Sequence, residues 1–247
     1  MSLPPRVFCA QAMRPGESLA LDAAASRHVQ VRRLQPGMAL TLFDGQGHAF
    51  EAHVSAMGKR LVEVRILHAK TPSPQPRCQT RLVMGMPANE RMDWLVEKGT
   101  ELGVTRLVPL VTERTVVRLQ GERAAKRVAH WLAIAAGACE QSGRDMLPTI
   151  EPIQSLSQWL GSARRDPGAF QMRLSLAPGA RLSEDVVLAP GQPVMAALGP
   201  EGGWSAAEEQ ALAGAGLEPV SLGQAVLRSE TAALTVLARW ADAMSSR

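Results

Sequence analysis

Hydrophobic and polar positions change their period about a third of the way along the chain. Through Met38-Ala-Leu-Thr-Leu-Phe43 and Leu61-Val-Glu-Val-Arg-Ile-Leu67 the two classes alternate, as in strands with one buried face. Turn signals at Asp44-Gly-Gln-Gly47 and Met57-Gly-Lys59 follow or separate these runs, and together they predict a small β-barrel. Further on, apolar residues recur at helical spacing. Met92, Leu95, Val96 and Leu102 share one face of a helix predicted to start at an Asn89 N-cap and to stop at Gly103. Ala124, Val128, Trp131, Leu132, Ala135 and Cys139 do the same in a long helix over 121–143. Strands fit 80–86, 104–111, 170–176, 194–198 and 217–222, and helices start near Ser205 and Ser229. This alternation predicts a parallel sheet covered by helices on both faces, in which ligands sit at the carboxyl ends of the strands.

Between the two regimes, Thr71 to Gln79 carries prolines at 72, 74 and 76, a pattern that favours an extended, semi-rigid connection. The expected organisation is therefore a β-barrel domain over 1–71, a linker over 72–79 and an α/β domain over 80–247. A length of 247 residues with 46% hydrophobic content suffices for packed cores. Apolar runs such as 193–198 fall far short of the roughly 20 residues a membrane helix needs. The opening residues show no charged segment followed by a long apolar one, so a cytoplasmic protein is expected. Cys9, Cys78 and Cys139 are odd in number and far apart, which predicts reduced thiols, with neither a disulfide framework nor a metal site.

The net charge of +4 is unevenly spread. Residues 1–77 hold ten Lys/Arg against five Asp/Glu, and residues 78–247 hold seventeen against eighteen. A basic first third suits a module that grips a polyanion, although a solvated basic face without a partner is as common.

Two segments carry candidate chemistry. Leu198-Gly-Pro-Glu-Gly-Gly-Trp204 follows one predicted strand and precedes a helix; its three glycines allow close backbone approach to a ligand, and equally an ordinary tight turn. No Lys-Ser/Thr follows, so a nucleoside triphosphate is not indicated. Leu222-Gly-Gln-Ala-Val-Leu-Arg-Ser-Glu-Thr-Ala232 again runs from strand to helix, with polar groups gathered at a helix start where free N–H groups can receive an anion; for Ser229 itself, simple capping is the default.

Taken in order, these two segments resemble the signature of the SPOUT methyltransferases, and among them the 16S ribosomal RNA uridine-N3 methyltransferase family. Glu97-Lys-Gly-Thr-Glu-Leu-Gly103, Pro109 with Thr112-Glu-Arg114, and Glu140-Gln-Ser-Gly-Arg144 with Pro148 are similar to that family as well. Arg6-Val-Phe8 and the stretch from His28 to Gly37 resemble its PUA-like RNA-binding domain. Arg32 stands where the family usually has leucine, and Met38 where an acidic residue usually follows the glycine. Both departures lie in the N-terminal domain, away from the reaction.

The resemblance implies a small N-terminal PUA-like barrel and a C-terminal trefoil-knotted, mainly parallel sheet flanked by helices. It further implies S-adenosyl-L-methionine as cofactor, a homodimer, and 16S rRNA of the small ribosomal subunit as partner. Leu198, Gly199, Glu201, Gly202, Leu222, Gly223, Val226, Leu227 and Arg228 are then the expected cofactor residues. Uracil N3 is protonated, so its methylation needs a proton acceptor or stabilisation of the N3 anion. Glu101, Glu140, Glu201 and Glu230 are candidate acceptors, and Arg144 and Arg228 candidate anion stabilisers; Arg228, Glu101 and Arg144 head the catalytic set, and no single base stands out. Asp93 and Glu97 read as a solvated helix face, and His130 as structural or on the surface. N3 lies on the Watson–Crick edge, so the uridine must be unpaired or flipped. Arg6, Arg27, His28, Arg32, Arg33, Lys59, Arg60, Gln141 and Arg144 are the expected RNA contacts. Two other readings share part of this pattern: a SPOUT 2′-O-ribose methyltransferase on another RNA, and a non-catalytic RNA-binding assembly factor.

Overall fold

A computed structural model describes residues 4–74, 76, 78–88, 90–163, 172–182 and 192–244. The chain divides into two compact units, one of Met1–Gln75 with Ala136–Leu147, the other of Pro76–Ala135 with Pro148–Arg247.

In the first unit the alternating runs become strands, joined by elements the pattern does not announce. These are β1 (Arg6–Phe8), β2 (Ser18–Ala20), α1 (Ala23–Val31), β3 (Ala39–Phe43), β4 (Ala49–Met57) and β5 (Val62–Ala69). They form a five-stranded sheet in the order β1-β3-β4-β5-β2, antiparallel except for the β1/β3 pair. Helix α1, capped by Asp22 through the N–H groups of Ala24 and Ala25, lays Ala25 and Val29 into the same core as Leu40, Leu42, Val54 and Val64. The segment Ala136–Leu147 belongs here too. Cys139 shares an apolar cluster with Phe8, Phe43, Ala49 and Leu147, and this burial pushes its thiol up to about 11.

The second unit follows the helix-and-strand alternation closely. Its elements are β6 (Thr80–Gly85), α2 (Glu90–Glu101), β7 (Arg106–Val111), α3 (Gly121–Ser142, of which residues to Ala135 lie in this unit), β8 (Thr149–Ile150), β9 (Gln154–Ser155), α4 (Leu156–Ala163), β10 (Met172–Leu182), β11 (Val194–Leu198), α5 (Ala206–Gly214), β12 (Glu218–Ser221) and α6 (Ser229–Met244). Among the described residues the sheet runs β12-β10-β11-β6-β7-β8, with β9 also on β7, and every pairing is parallel. Successive side chains on its strands alternate between two cores. Leu82, Met84, Ala196 and Leu198 face the helices α2, α3 and α6, through Leu95, Trp131 and Leu237. Val83, Met195 and Ala197 face α4 and α5, through Trp159 and Leu212. A sheet covered on both faces leaves the strand ends as the natural place for a ligand.

Gly103, at φ 91°, ends α2 as its sequence predicts. Ser205 caps α5 in a full capping box with Glu208. The expected Asn89 cap and the first two residues of the 170–176 strand lie outside the described residues. No described helix is long and apolar enough to cross a membrane.

Candidate functional site

Strands β11 and β12 flank β10 and point the same way, so the loops that leave them emerge together at the carboxyl edge of the sheet. The first loop folds back hard on itself. A Cβ on Gly199 would lie 2.7 Å from the carbonyl carbon of Gly203, and one on Gly85, at the end of β6, would meet Pro200 Cδ at 2.5 Å. Gly203 sits at φ 69° and donates its N–H to Pro200 O at 2.8 Å. These glycines are thus fixed by backbone approach inside the protein. From outside, Arg114 Nη1 donates to Gly202 O at 2.7 Å, and Glu208 accepts the Glu113 N–H at 2.9 Å. The Thr112-Glu-Arg114 motif therefore holds the loop from its far side. The second loop leaves buried Ser221, whose hydroxyl donates to Gly223 O at 2.8 Å, and enters α6 at Ser229.

Between the loops lies a cleft of about 460 Å³. Leu198, Gly199, Glu201, Gly202, Leu222, Val226, Leu227 and Arg228 all line it. Gly223 is not among the lining residues; at φ 133° it turns the chain beside them. Leu176, Leu198, Val220, Leu222 and Ala232 supply apolar wall, and the glycine loop supplies backbone polar groups. The volume falls within the range typical of small-molecule sites. Arg228 is exposed at this cleft and makes no ion pair among the described residues.

The sequence pattern missed Arg91, which structurally ties the site together. Glu201 Oε1 accepts from Arg91 Nη1 at 3.0 Å and from the Ala88 N–H at 2.8 Å, while Arg91 Nε lies 3.8 Å from Oε1 of the buried Glu230. One guanidinium thus joins the start of α2, the glycine loop and the start of α6. Its only signal in the sequence is position, in the first turn of the helix that follows the β6 carboxyl end, a weak cue by itself.

The other catalytic candidates are dispersed. Glu101 pairs with Lys98 Nζ at 2.8 Å, as does Glu97, and these bonds, Glu101 first, raise the lysine pKa. Neither acid lines the cleft. Arg144, Gln141 and Glu140 belong to the other unit. Glu140 does not pair with Arg144 along the helix; it accepts the Phe8 N–H at 2.9 Å and the His28 Nδ1–H at 2.7 Å. Asp93 departs from the expected solvated role, since it accepts from Trp131 Nε1 and pairs with His130 Nε2, both at 2.9 Å.

In the first unit the expected RNA contacts separate into two groups. Arg6 is largely buried: it pairs with Asp145, donates to Arg144 O at 2.9 Å, and lies 4.8 Å over the Phe43 ring. His28 is held by Glu140 and accepts from Arg32 Nε at 3.2 Å. Arg27, Arg32, Arg33, Lys59 and Arg60 are exposed. The Gln30 side chain donates to Gly58 O at 3.0 Å, drawing the 58–60 turn, with Lys59 and Arg60, to α1. Arg33 itself adopts φ 56°, a left-handed conformation that costs a non-glycine residue roughly 1–2 kcal/mol.

Comparison with known proteins agrees with both units. An RNA methyltransferase domain family matches residues 73–241, and an RNA methyltransferase PUA domain family matches 21–67. The ribosomal RNA small subunit methyltransferase E of Mycobacterium bovis is 31% identical over 208 residues, covering 84% of this chain and 79% of that protein. Its Bacillus subtilis counterpart is 27% identical over 85% of this chain and 83% of that protein. The crystal structure of the Neisseria gonorrhoeae enzyme of the same name, bound to S-adenosylmethionine, superposes with a TM-score of 0.86 at 33% identity, covering 96% of this chain and 97% of that one. A Legionella pneumophila methyltransferase structure, also with that cofactor bound, gives 0.89 at 34% identity and covers 98% of each chain. With the paired loops, the parallel sheet and the small β domain in place, this chain belongs to the ribosomal RNA small subunit methyltransferase E family of RNA methyltransferases.

Proposed function

We propose that this protein, as a homodimer, transfers the methyl group of S-adenosylmethionine to N3 of one uridine in the 16S rRNA of the small ribosomal subunit. The observation that carries this reading is the convergence of the two glycine-bearing loops on one cleft of small-molecule size at the carboxyl edge of a parallel sheet. The cleft suits the cofactor: its apolar walls match an adenine ring, and the loop backbone offers hydrogen-bonding groups to ribose and amino-acid moieties. The cofactor's sulfonium supplies an activated methyl group. Everything else falls to the chain. The loops hold the donor, Arg228 stands free at the cleft to stabilise charge developing on O2 or O4, and Arg91 keeps the loops in register.

On this reading the domain over 1–71 grips RNA through Arg27, Arg32, Arg33, Lys59 and Arg60, while residues 80–247 carry the reaction. Nucleoside mass spectrometry of under-methylated small subunits treated with the protein and cofactor tests the proposal, and 3-methyluridine is the expected product. A 2′-O-methyl nucleoside would favour the ribose-directed reading. No methylated product from a folded chain would favour a non-catalytic binder.

A further inference from the structure

Four glutamates compete for the N3 proton on sequence grounds, and the structure separates them. Glu101 is held by Lys98 outside the cleft. Both oxygens of Glu140 are engaged, by the Phe8 N–H and by His28. Glu230 is buried, with Oε2 accepting the Ser229 hydroxyl at 3.2 Å and Oε1 facing Arg91. Glu201 differs from all three. It lines the 460 Å³ cleft, and both of its donors bind Oε1, so that Oε2 takes no hydrogen bond among the described residues.

Glu201 also lines a second cavity. Together with Ala88, Glu90, Arg91, Asp93 and Arg127 it bounds a polar cleft of about 610 Å³. Arg91 and Glu201 are thus common to the walls of both clefts. A uracil edge presents O4, N3–H and O2, which calls for a carboxylate flanked by N–H donors. The shared wall offers the carboxylate and the Arg91 guanidinium, and Arg127 adds N–H groups on the same polar cleft. Arg91 is moreover one cation between two carboxylates, Glu201 and Glu230, which leaves an excess of negative charge at the boundary of the clefts.

We infer that the 610 Å³ polar cleft receives the target uracil and that Glu201 Oε2 accepts its N3 proton, with Arg91 as the residue that positions Glu201. The inference rests on the uridine-N3 reading above. In the step, the N3–H bond breaks and its proton goes to Glu201 Oε2. The N3 electron pair forms the new bond to the methyl carbon, and the pair of the broken carbon–sulfur bond remains on sulfur as the neutral thioether. Arg91 keeps its bond to Oε1 throughout, so the accepting oxygen stays aimed at the base.

The test uses the full chain and begins with mapping of the wild-type product, because a methyl group on any atom other than N3 overturns the underlying reading. Given an N3 product, Glu201→Gln is the informative variant, since its amide oxygen can keep the bonds from Ala88 and Arg91. Its single-turnover rate near neutral pH should fall by about 100-fold or more, and should then climb with pH as solvent removes the N3 proton unaided. Its Kd for S-adenosylhomocysteine, measured by calorimetry, should stay within about threefold of wild type. Binding without catalysis gives an independent readout. Uridine 5′-monophosphate should shift the Arg91 and Arg127 Nε–H resonances of the wild type, and 3-methyluridine 5′-monophosphate should do so at least about threefold more weakly for want of the N3 donor. If Glu201→Gln does not fold, Glu201→Asp replaces it, with an expected loss of about tenfold from misplacement. An N3 product with an unchanged rate and pH profile in the glutamine variant overturns the assignment of Glu201 alone, as does a loss of cofactor affinity equal to the loss of rate.

Discussion

The cleft between the two glycine-bearing loops and the exposed cations of the first unit are built from opposite materials. The shape of the cleft's glycine loop is held by backbone: Gly199, Gly203 and Gly85 stand where a single added Cβ or a lost positive φ would break a close approach. The cations are long, exposed side chains on and just after α1 and in the 58–60 turn, and none of them makes an ion pair among the described residues. Shape held by backbone should fail abruptly and at single positions, whereas charge held by side chains should weaken by increments and respond to salt.

Gly85→Ala is the sharpest way to break this contrast, because Gly85 lies outside both loops and meets the first of them at Gly199 and Pro200. Overpacking there should cost about 1–3 kcal/mol and should abolish measurable cofactor binding, as read by thermal melting and calorimetry. A variant that melts and binds like wild type would mean the loop is not held by that approach. Next in size is Arg6→Ala. As a largely buried partner of Asp145 and Arg144 O it should cost roughly 3 kcal/mol while leaving the salt dependence of RNA binding unchanged. A shallower salt slope with intact stability would instead put Arg6 among the phosphate contacts. Arg60→Ala should show the reverse, with melting unaltered and the slope of log K against log salt reduced by about one unit. The smallest effect concerns Asp44. Partial burial raises its pKa, but hydrogen bonds from the Gln46 N–H and from His48 outweigh that and hold it below its ordinary value. A depressed carboxylate pKa contributes stability above its unfolded value and loses it as pH falls through the folded one. Asp44→Asn should therefore remove a small, acid-sensitive part of the first unit's stability, visible as a flatter dependence of melting temperature on pH in the acidic range.

How far the sequence could be read follows the same division. The parallel sheet was legible because strands buried on both faces read as short apolar runs, as at Val194–Leu198, and their helices carry clear stripes. The cleft was legible because glycines required for close approach are visible as glycines. Arg91 was not, because nothing local in Asn-Glu-Arg shows that its partners will come from residues 201 and 230. Helix α1 stayed hidden for a different reason: it is short, and only Ala25, Ser26 and Val29 are buried, with exposed Val31 blurring the stripe. The assignment of Arg6 and His28 to RNA shows the limit of charge counting, since their partners Asp145 and Glu140 lie more than a hundred residues away in sequence.

The most direct test of the central claim is primer extension on 16S rRNA from under-methylated small subunits after incubation with the protein and S-adenosylmethionine. Methylation at N3 blocks the Watson–Crick edge, so the account predicts a new, cofactor-dependent stop beside a single uridine. Full read-through at every uridine, with the methyl group recovered on a ribose or on another base, would contradict it.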